Sequence, residues 1–210
     1  MQIAAKQSID LVALQRTRKA VLLVGILLCI GFMLFGTSSW PGGTTVHETI
    51  EWAGIVLILI AIVGRTWCAL YIGGRKAQVL TDTGPYSICR NPLYVFSILG
   101  AVGTGAQLGS MVMALVGGLM AWFVFLLVVR KEEEALVTLL GPAYEAYVQR
   151  VPRFFPDFSL WRDVESITVR PSLIVMTFLD ALVFSLSIPL AEGIEYLHEQ
   201  GILLALVQLP

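Results

Sequence analysis

From residue 93 to residue 129 the sequence contains no Asp, Glu, Lys or Arg. A bilayer core of roughly 30 Å is crossed by about 20 apolar residues in helical form, so this one stretch is long enough for nearly two crossings. Shorter apolar stretches recur at 20–37, 50–72 and 172–191. Only 14% of the 210 residues are charged and 57% are hydrophobic, against roughly 25% charged in soluble domains. That composition excludes a disordered chain and a disulfide-built secreted domain. A net charge of −1 excludes a nucleic-acid binder. The chain reads as an all-α integral membrane protein whose first partner is the lipid bilayer.

Gly103, Gly105, Gly109 and Ser110 interrupt the long stretch near its middle, which predicts two helices joined by a tight turn. Together with the other stretches this gives about five transmembrane helices. The tail at 194–209 is too short to cross and is expected as an interfacial helix, a re-entrant piece or part of a sixth span. The basic residues sort with this count. Lys6, Arg16, Arg18 and Lys19 precede the first span; Arg75, Lys76 and Arg90 lie between the second and third. Arg130, Lys131, Arg150, Arg153, Arg162 and Arg170 lie between the fourth and fifth, and nothing basic follows. The positive-inside rule then puts the N-terminus in the cytoplasm and the C-terminus outside. Compact loops point to a prokaryotic plasma (inner) membrane. Three regions follow: an N-terminal segment with the first span (1–49), a core (50–156) and a C-terminal extension (157–210).

The chemistry is expected in the two long polar segments, 73–92 and 130–171. In the first, Asn91-Pro92 reads as a helix start, with Asn91 as N-cap and Pro92 in the first turn. Such an N-terminus can take a carboxylate or phosphate, flanked by Tyr86, Arg90 and Tyr94; the alternative is loop punctuation with an interfacial aromatic belt. In the second, Glu132, Glu133 and Glu134 end an apolar helix against the membrane. Glu134 reads as a solvated helix end, whereas adjacent carboxylates beside a bilayer call for a cation. Residues 150–156, basic and aromatic, are expected to lie flat on the membrane. Arg65 and Asp180 fall inside spans, as functional groups or paired to each other or to an interhelical hydroxyl. Cys29, Cys68 and Cys89 lack metal or redox spacing, and His47 and His198 both fall on the outer side, so no metal site is expected.

Taken in order, Arg65, Gly84-Pro85-Tyr86, Arg90-Asn91-Pro92-Leu93-Tyr94, Glu132-Glu133 with Leu136, Gly141 with Tyr144 and Tyr147, and Val151-Pro152-Arg153-Phe154-Phe155-Pro156 form a pattern. It resembles the isoprenylcysteine carboxyl methyltransferase family and its bacterial relatives, which also resemble phospholipid N-methyltransferases. The resemblance covers about residues 50–156. It implies an enzyme that binds S-adenosyl-L-methionine in a cytoplasmic cofactor-binding region and admits a lipophilic small molecule or prenylated acceptor between its helices. Tyr86, Arg90, Asn91, Pro92, Tyr94 and Glu133 would bind the cofactor; Glu132, Arg90 and Arg153 would serve catalysis. Asn91 stands where the family usually has histidine. An amide can still donate a hydrogen bond but cannot act as a base.

The resemblance implies carboxyl O-methylation of an isoprenylcysteine-like acid, and the residues agree with it, since a carboxylate is already a nucleophile and no histidine is expected on the cytoplasmic side. Lipid amine N-methylation, as on phosphatidylethanolamine, is the second expectation. A non-catalytic membrane scaffold would use the same charged loops for docking. A nicotinamide-dependent membrane reductase fits less well, since no phosphate-binding glycine fingerprint is present.

Overall fold

A computed structural model describes residues 30–31, 34–72, 80–204 and 206–210. Most of the 20–37 stretch, the basic residues before it, Cys29, Arg75 and Lys76 lie outside the described residues. The described residues are mostly helical, at 71%. A short strand, β1 (Gly36–Ser38), precedes the long helix α1 (Thr45–Ile72). One turn, α2 (Pro85–Ile88), leads into α3 (Pro92–Ala106) and α4 (Met111–Leu140). Then come α5 (Pro142–Arg150), α6 (Pro171–Leu182), α7 (Ser187–Glu199) and a final strand, β2 (Val207–Leu209). Four helices open on a proline, where its missing N–H costs nothing and its fixed φ suits the helix.

Among the described residues three helical runs are long and apolar enough to cross a membrane: α1, α4 and Pro171–Glu199, in which a 3-10 turn joins α6 to α7. The shorter apolar α3 packs between α1 and α4. The stretch 93–129 does break into two helices. Gly109 takes a left-handed φ of 62° in the connecting turn, and the Ser110 hydroxyl accepts from Met113 N at 3.3 Å to cap α4.

In lipid there is no hydrophobic force between helices, so close approach of small residues holds them. A Cβ on Gly54 of α1 would sit 2.8 Å from the Gly103 carbonyl, and one on Gly103 would sit 2.7 Å from the Gly54 carbonyl. The two glycines let the backbones touch. On the outside, Met111, Leu115, Leu119, Phe123 and Leu127 of α4 are all exposed. They repeat every fourth residue, which lines up one helix face. An apolar stripe that long is compatible with hydrocarbon and not with water.

Three expectations are corrected. The C-terminal run is helical as far as Glu199 rather than stopping at 191. The tail after it ends in β2, which pairs in parallel with β1, rather than forming a helix or a further span. The architecture is therefore helical with one two-stranded ribbon, not purely α. Of the two intramembrane charges, Arg65 takes the interhelical hydroxyl, donating to Ser97 of α3 and lying 5.9 Å over the Phe184 ring, while Asp180 sits on the exposed face of α6.

Candidate functional site

At the C-terminal end of α4 the helix turns Glu133 inward and Glu134 outward. A buried carboxylate must be paired and hydrogen-bonded, and Glu133, 7% exposed, is held by donors from two separate segments. Asn91 Nδ2 donates to its Oε1 at 3.1 Å. Arg153 reaches Oε2 through Nη2 at 2.8 Å and Nε at 3.0 Å. Arg90 Nε forms an ion pair with Oε1 at 3.5 Å. One residue earlier, and about 100° round the helix, Glu132 accepts from the Tyr94 hydroxyl at 3.0 Å.

Asn91 occupies the N-cap position of α3, as expected, but its side chain does not cap. Its amide is spent on Glu133 and on the Arg153 carbonyl, 3.3 Å away. Backbone bonds from Tyr94 N and Val95 N to the Asn91 carbonyl, at 3.1 and 3.2 Å, close the first turn.

Residues 150–163 pack against the 82–92 segment. Arg90 N donates to the Pro152 carbonyl at 2.9 Å, Asp157 N to Ile88 at 2.9 Å, and Gly84 N to Arg162 at 2.7 Å. Cys89 Sγ points at the carbonyls of Arg153 and Phe154, 3.5 and 3.4 Å away, and burial pushes this thiol up to about 11. Only Phe155 of the aromatic pair faces outward. Phe154 turns in against Tyr94, Phe125 and Val129, with its ring 4.7 Å from Trp122. At the rim, Asp82 binds both Arg150, at 2.8 Å, and Arg162.

The Tyr144/Tyr147 repeat carries a role that its spacing did not disclose. Both rings are buried beneath the loop, and Tyr147 Oη donates to the Tyr86 carbonyl at 2.7 Å. Desolvation raises both phenols above their ordinary range, so they stay neutral donors. At this site two buried polar side chains keep atoms without a hydrogen-bond partner. The Tyr86 hydroxyl has no hydrogen-bond partner, nor do Nε and Nη1 of Arg90, whose side chain is 8% exposed. The structure thus gathers Arg90, Asn91, Glu133 and Arg153 into one cluster, sets Tyr94 and Glu132 beside it as a pair, and buries Tyr86 in the loop that Pro92 ends.

The family model described as phospholipid methyltransferase matches residues 49–143. Over 196 residues the chain is 37% identical to the cobalt-zinc-cadmium resistance protein CzcN of Cupriavidus metallidurans, covering 93% of this chain and 90% of that protein. It is 38% identical over 160 residues to the nickel-cobalt-cadmium resistance protein NccN of Alcaligenes xylosoxydans, covering 76% and 74%. A protein-S-isoprenylcysteine O-methyltransferase of Schizosaccharomyces pombe is 36% identical over 82 residues, 39% of this chain and 35% of that one. No solved structure matches. The chain belongs to one family with CzcN and NccN, and the match of residues 49–143 to the phospholipid methyltransferase model supports a membrane methyltransferase family.

Proposed function

We propose that this protein is an S-adenosyl-L-methionine-dependent methyltransferase that O-methylates the carboxylate of a lipophilic, isoprenylcysteine-like acid at the cytoplasmic face of the plasma membrane. The observation that carries the reading is Arg90. A buried guanidinium with unmet N–H groups needs an anion, and Glu133 satisfies it only through a 3.5 Å ion pair. The open Tyr86 hydroxyl adds a second polar contact in the same loop. These atoms fit the carboxylate end of the cofactor, and Arg90, Tyr86 and the N-terminus of α3 would hold it. When bound, that group supplies an electrophilic methyl on a sulfonium.

The rest falls to this chain. Methyl transfer needs donor and acceptor aligned with water excluded. Glu133 fixes Arg90, Asn91 and Arg153 relative to one another, and Phe154, Trp122 and Phe125 close the apolar side. Arg153 is 37% exposed, so its guanidinium can also meet the carboxylate of an arriving acceptor. Both histidines, His47 and His198, lie towards the other end of the bundle. That arrangement favours an acceptor needing no base. The basic residues cluster at the Glu133 end, which favours a cytoplasmic site and, with the 20–37 stretch and α3 counted, five spans.

The phospholipid methyltransferase description favours a second reading, N-methylation of phosphatidylethanolamine. The metal-resistance names of two relatives support a setting in which the methylated product serves a metal-resistance system. The test uses the full-length protein in nanodiscs with labelled S-adenosyl-L-methionine, offered a prenylcysteine acid or phosphatidylethanolamine. Labelled ester, lost on Arg90→Ala, supports the first reading, and labelled lipid amine supports the second. Absence of cofactor binding would sink both.

A further inference from the structure

At the opposite end of the bundle, His47 and Glu51 occupy successive turns of α1 and Glu195 comes from α7. His47 Nε2 lies 3.2 Å from Glu51 Oε1 and 3.3 Å from Glu195 Oε1. The donor atoms of all three residues lie within 4.8 Å of one another.

The imidazole is 4% exposed and its orientation is fixed. Nδ1 is 3.1 Å from the Trp40 carbonyl, which can only accept, so Nδ1 carries the proton. In the neutral ring the Nε2 lone pair then faces two carboxylate oxygens, and three acceptors converge with no donor between them. Carbonyl-anchored Nδ1–H with a free Nε2 is how metal-bound histidine is usually supported. The turn closes over the ring, since any Cβ on Gly109 would strike it.

A proton or a metal ion can occupy the centre, and the distances separate the two. Charge-assisted N–H···O bonds run about 2.7–2.9 Å, and one N–H cannot aim at two carboxylates. Metal–ligand bonds of about 2.0–2.2 Å in a tetrahedron put neighbouring ligand atoms about 3.3–3.5 Å apart. The observed 3.2 and 3.3 Å exceed the first range and lie nearer the second. The charge balance agrees. No Lys or Arg occurs at 34–64, 91–129 or after 170, while Glu192 and Glu199 flank Glu195 on neighbouring turns of α7.

We propose that His47, Glu51 and Glu195 bind a divalent first-row transition cation of the zinc and cobalt class, leaving one coordination position for water or a ligand. One imidazole with two carboxylates is a donor set such ions accept. The site stands apart from methyl transfer, and its titration needs no methyl donor.

The test is calorimetric titration of Zn²⁺ into untagged full-length protein in nanodiscs, with Co²⁺ absorption and thermal melts alongside. One saturable site is expected, together with a melting midpoint raised by zinc. Glu195→Gln and His47→Gln should each weaken binding by more than the roughly 10–100-fold that losing a supporting partner costs, and should abolish the zinc-dependent rise. His198→Gln should leave both unchanged. No saturable binding by a protein with a normal melt would overturn the proposal. So would binding that survives His47→Gln and Glu195→Gln, or that disappears with His198→Gln.

Discussion

Glu133→Gln is the substitution with the most to say about the site. The amide keeps the shape, removes the charge and replaces one acceptor oxygen with a donor. Whichever way it turns, its N–H₂ meets either Arg153 or the Asn91/Arg90 pair. Arg90 is 8% exposed, so its loss of a counter-charge counts nearly in full. Leaving one partner of a buried ion pair alone costs about 3–5 kcal/mol. Arg153 is 37% exposed, and solvent screening reduces its share to about 1 kcal/mol or less. The contributions share one carboxylate and do not add, so about 3 kcal/mol is the expected total. At roughly 2–4 °C per kcal/mol for a chain of this size, the melting midpoint should fall by about 6–12 °C. If that energy instead goes into releasing the 90–94 segment, cofactor affinity should drop about 100-fold, at about 1.4 kcal/mol per tenfold. Nanodisc melts and calorimetry with S-adenosyl-L-methionine measure both. Adding Arg153→Gln to Glu133→Gln should recover part of the stability, because an uncompensated cation is removed. A variant that melts within a degree of wild type and binds the cofactor unchanged would refute the view of Glu133 as the hub.

Gly103→Ala forces a Cβ to 2.7 Å from the Gly54 carbonyl, and backbone cannot give way cheaply, so a loss of about 1–3 kcal/mol in a melt is expected. Gly193→Ala, with nothing within 4 Å, should instead be neutral or stabilising by about 0.5–1 kcal/mol. Tyr147→Phe removes the bond to the Tyr86 carbonyl, should cost about 1 kcal/mol, and should loosen the 84–90 loop in hydrogen exchange. Burial holds the Cys89 thiol up at about 11. It should resist iodoacetamide at pH 8 while the protein is folded, as peptide mass mapping would read. Because the folded state favours the neutral thiol, this contribution to stability is complete below the ordinary thiol range and is lost as pH rises towards 11.

How much of this was legible in the chain differs from residue to residue. The break at Gly103–Ser110 was readable because glycine and serine interrupt an apolar run locally. Asn91-Pro92 was readable as a helix start for the same reason, but the destination of the Asn91 amide was not. That depends on Glu133, which lies 42 positions away in the sequence and one hydrogen bond away in space. Three consecutive glutamates were visible, and Glu134 was expected at the solvated end. Which of the other two turns inward is set by the rotation of α4 against α3. The end of the tail, for which a strand was not among the expectations, shows the limit of hydropathy. Residues 202–209 are apolar enough for a helix, yet backbone pairing with Gly36–Ser38 and bonds from Val112 N and the Ser110 hydroxyl to the Pro210 carbonyl draw the end of the chain out.

The sequence by itself determined the solvent of this protein, where its long apolar stretch breaks, and the polar segments in which chemistry could reside. These follow from local properties: runs without charge, prolines at first turns, and basic residues kept to one side. Only the tertiary structure decided which side chains meet. It tied Arg153 to Glu133 across the 82–92 and 150–163 segments, and it brought Glu195 to His47 from the far end of the chain. Both contacts join groups whose separation in sequence carries no periodic signal. The hydrophobic pattern sets which helices form, but the pairing of buried polar groups depends on helix rotation and close glycine contacts, which exist only once the bundle is packed.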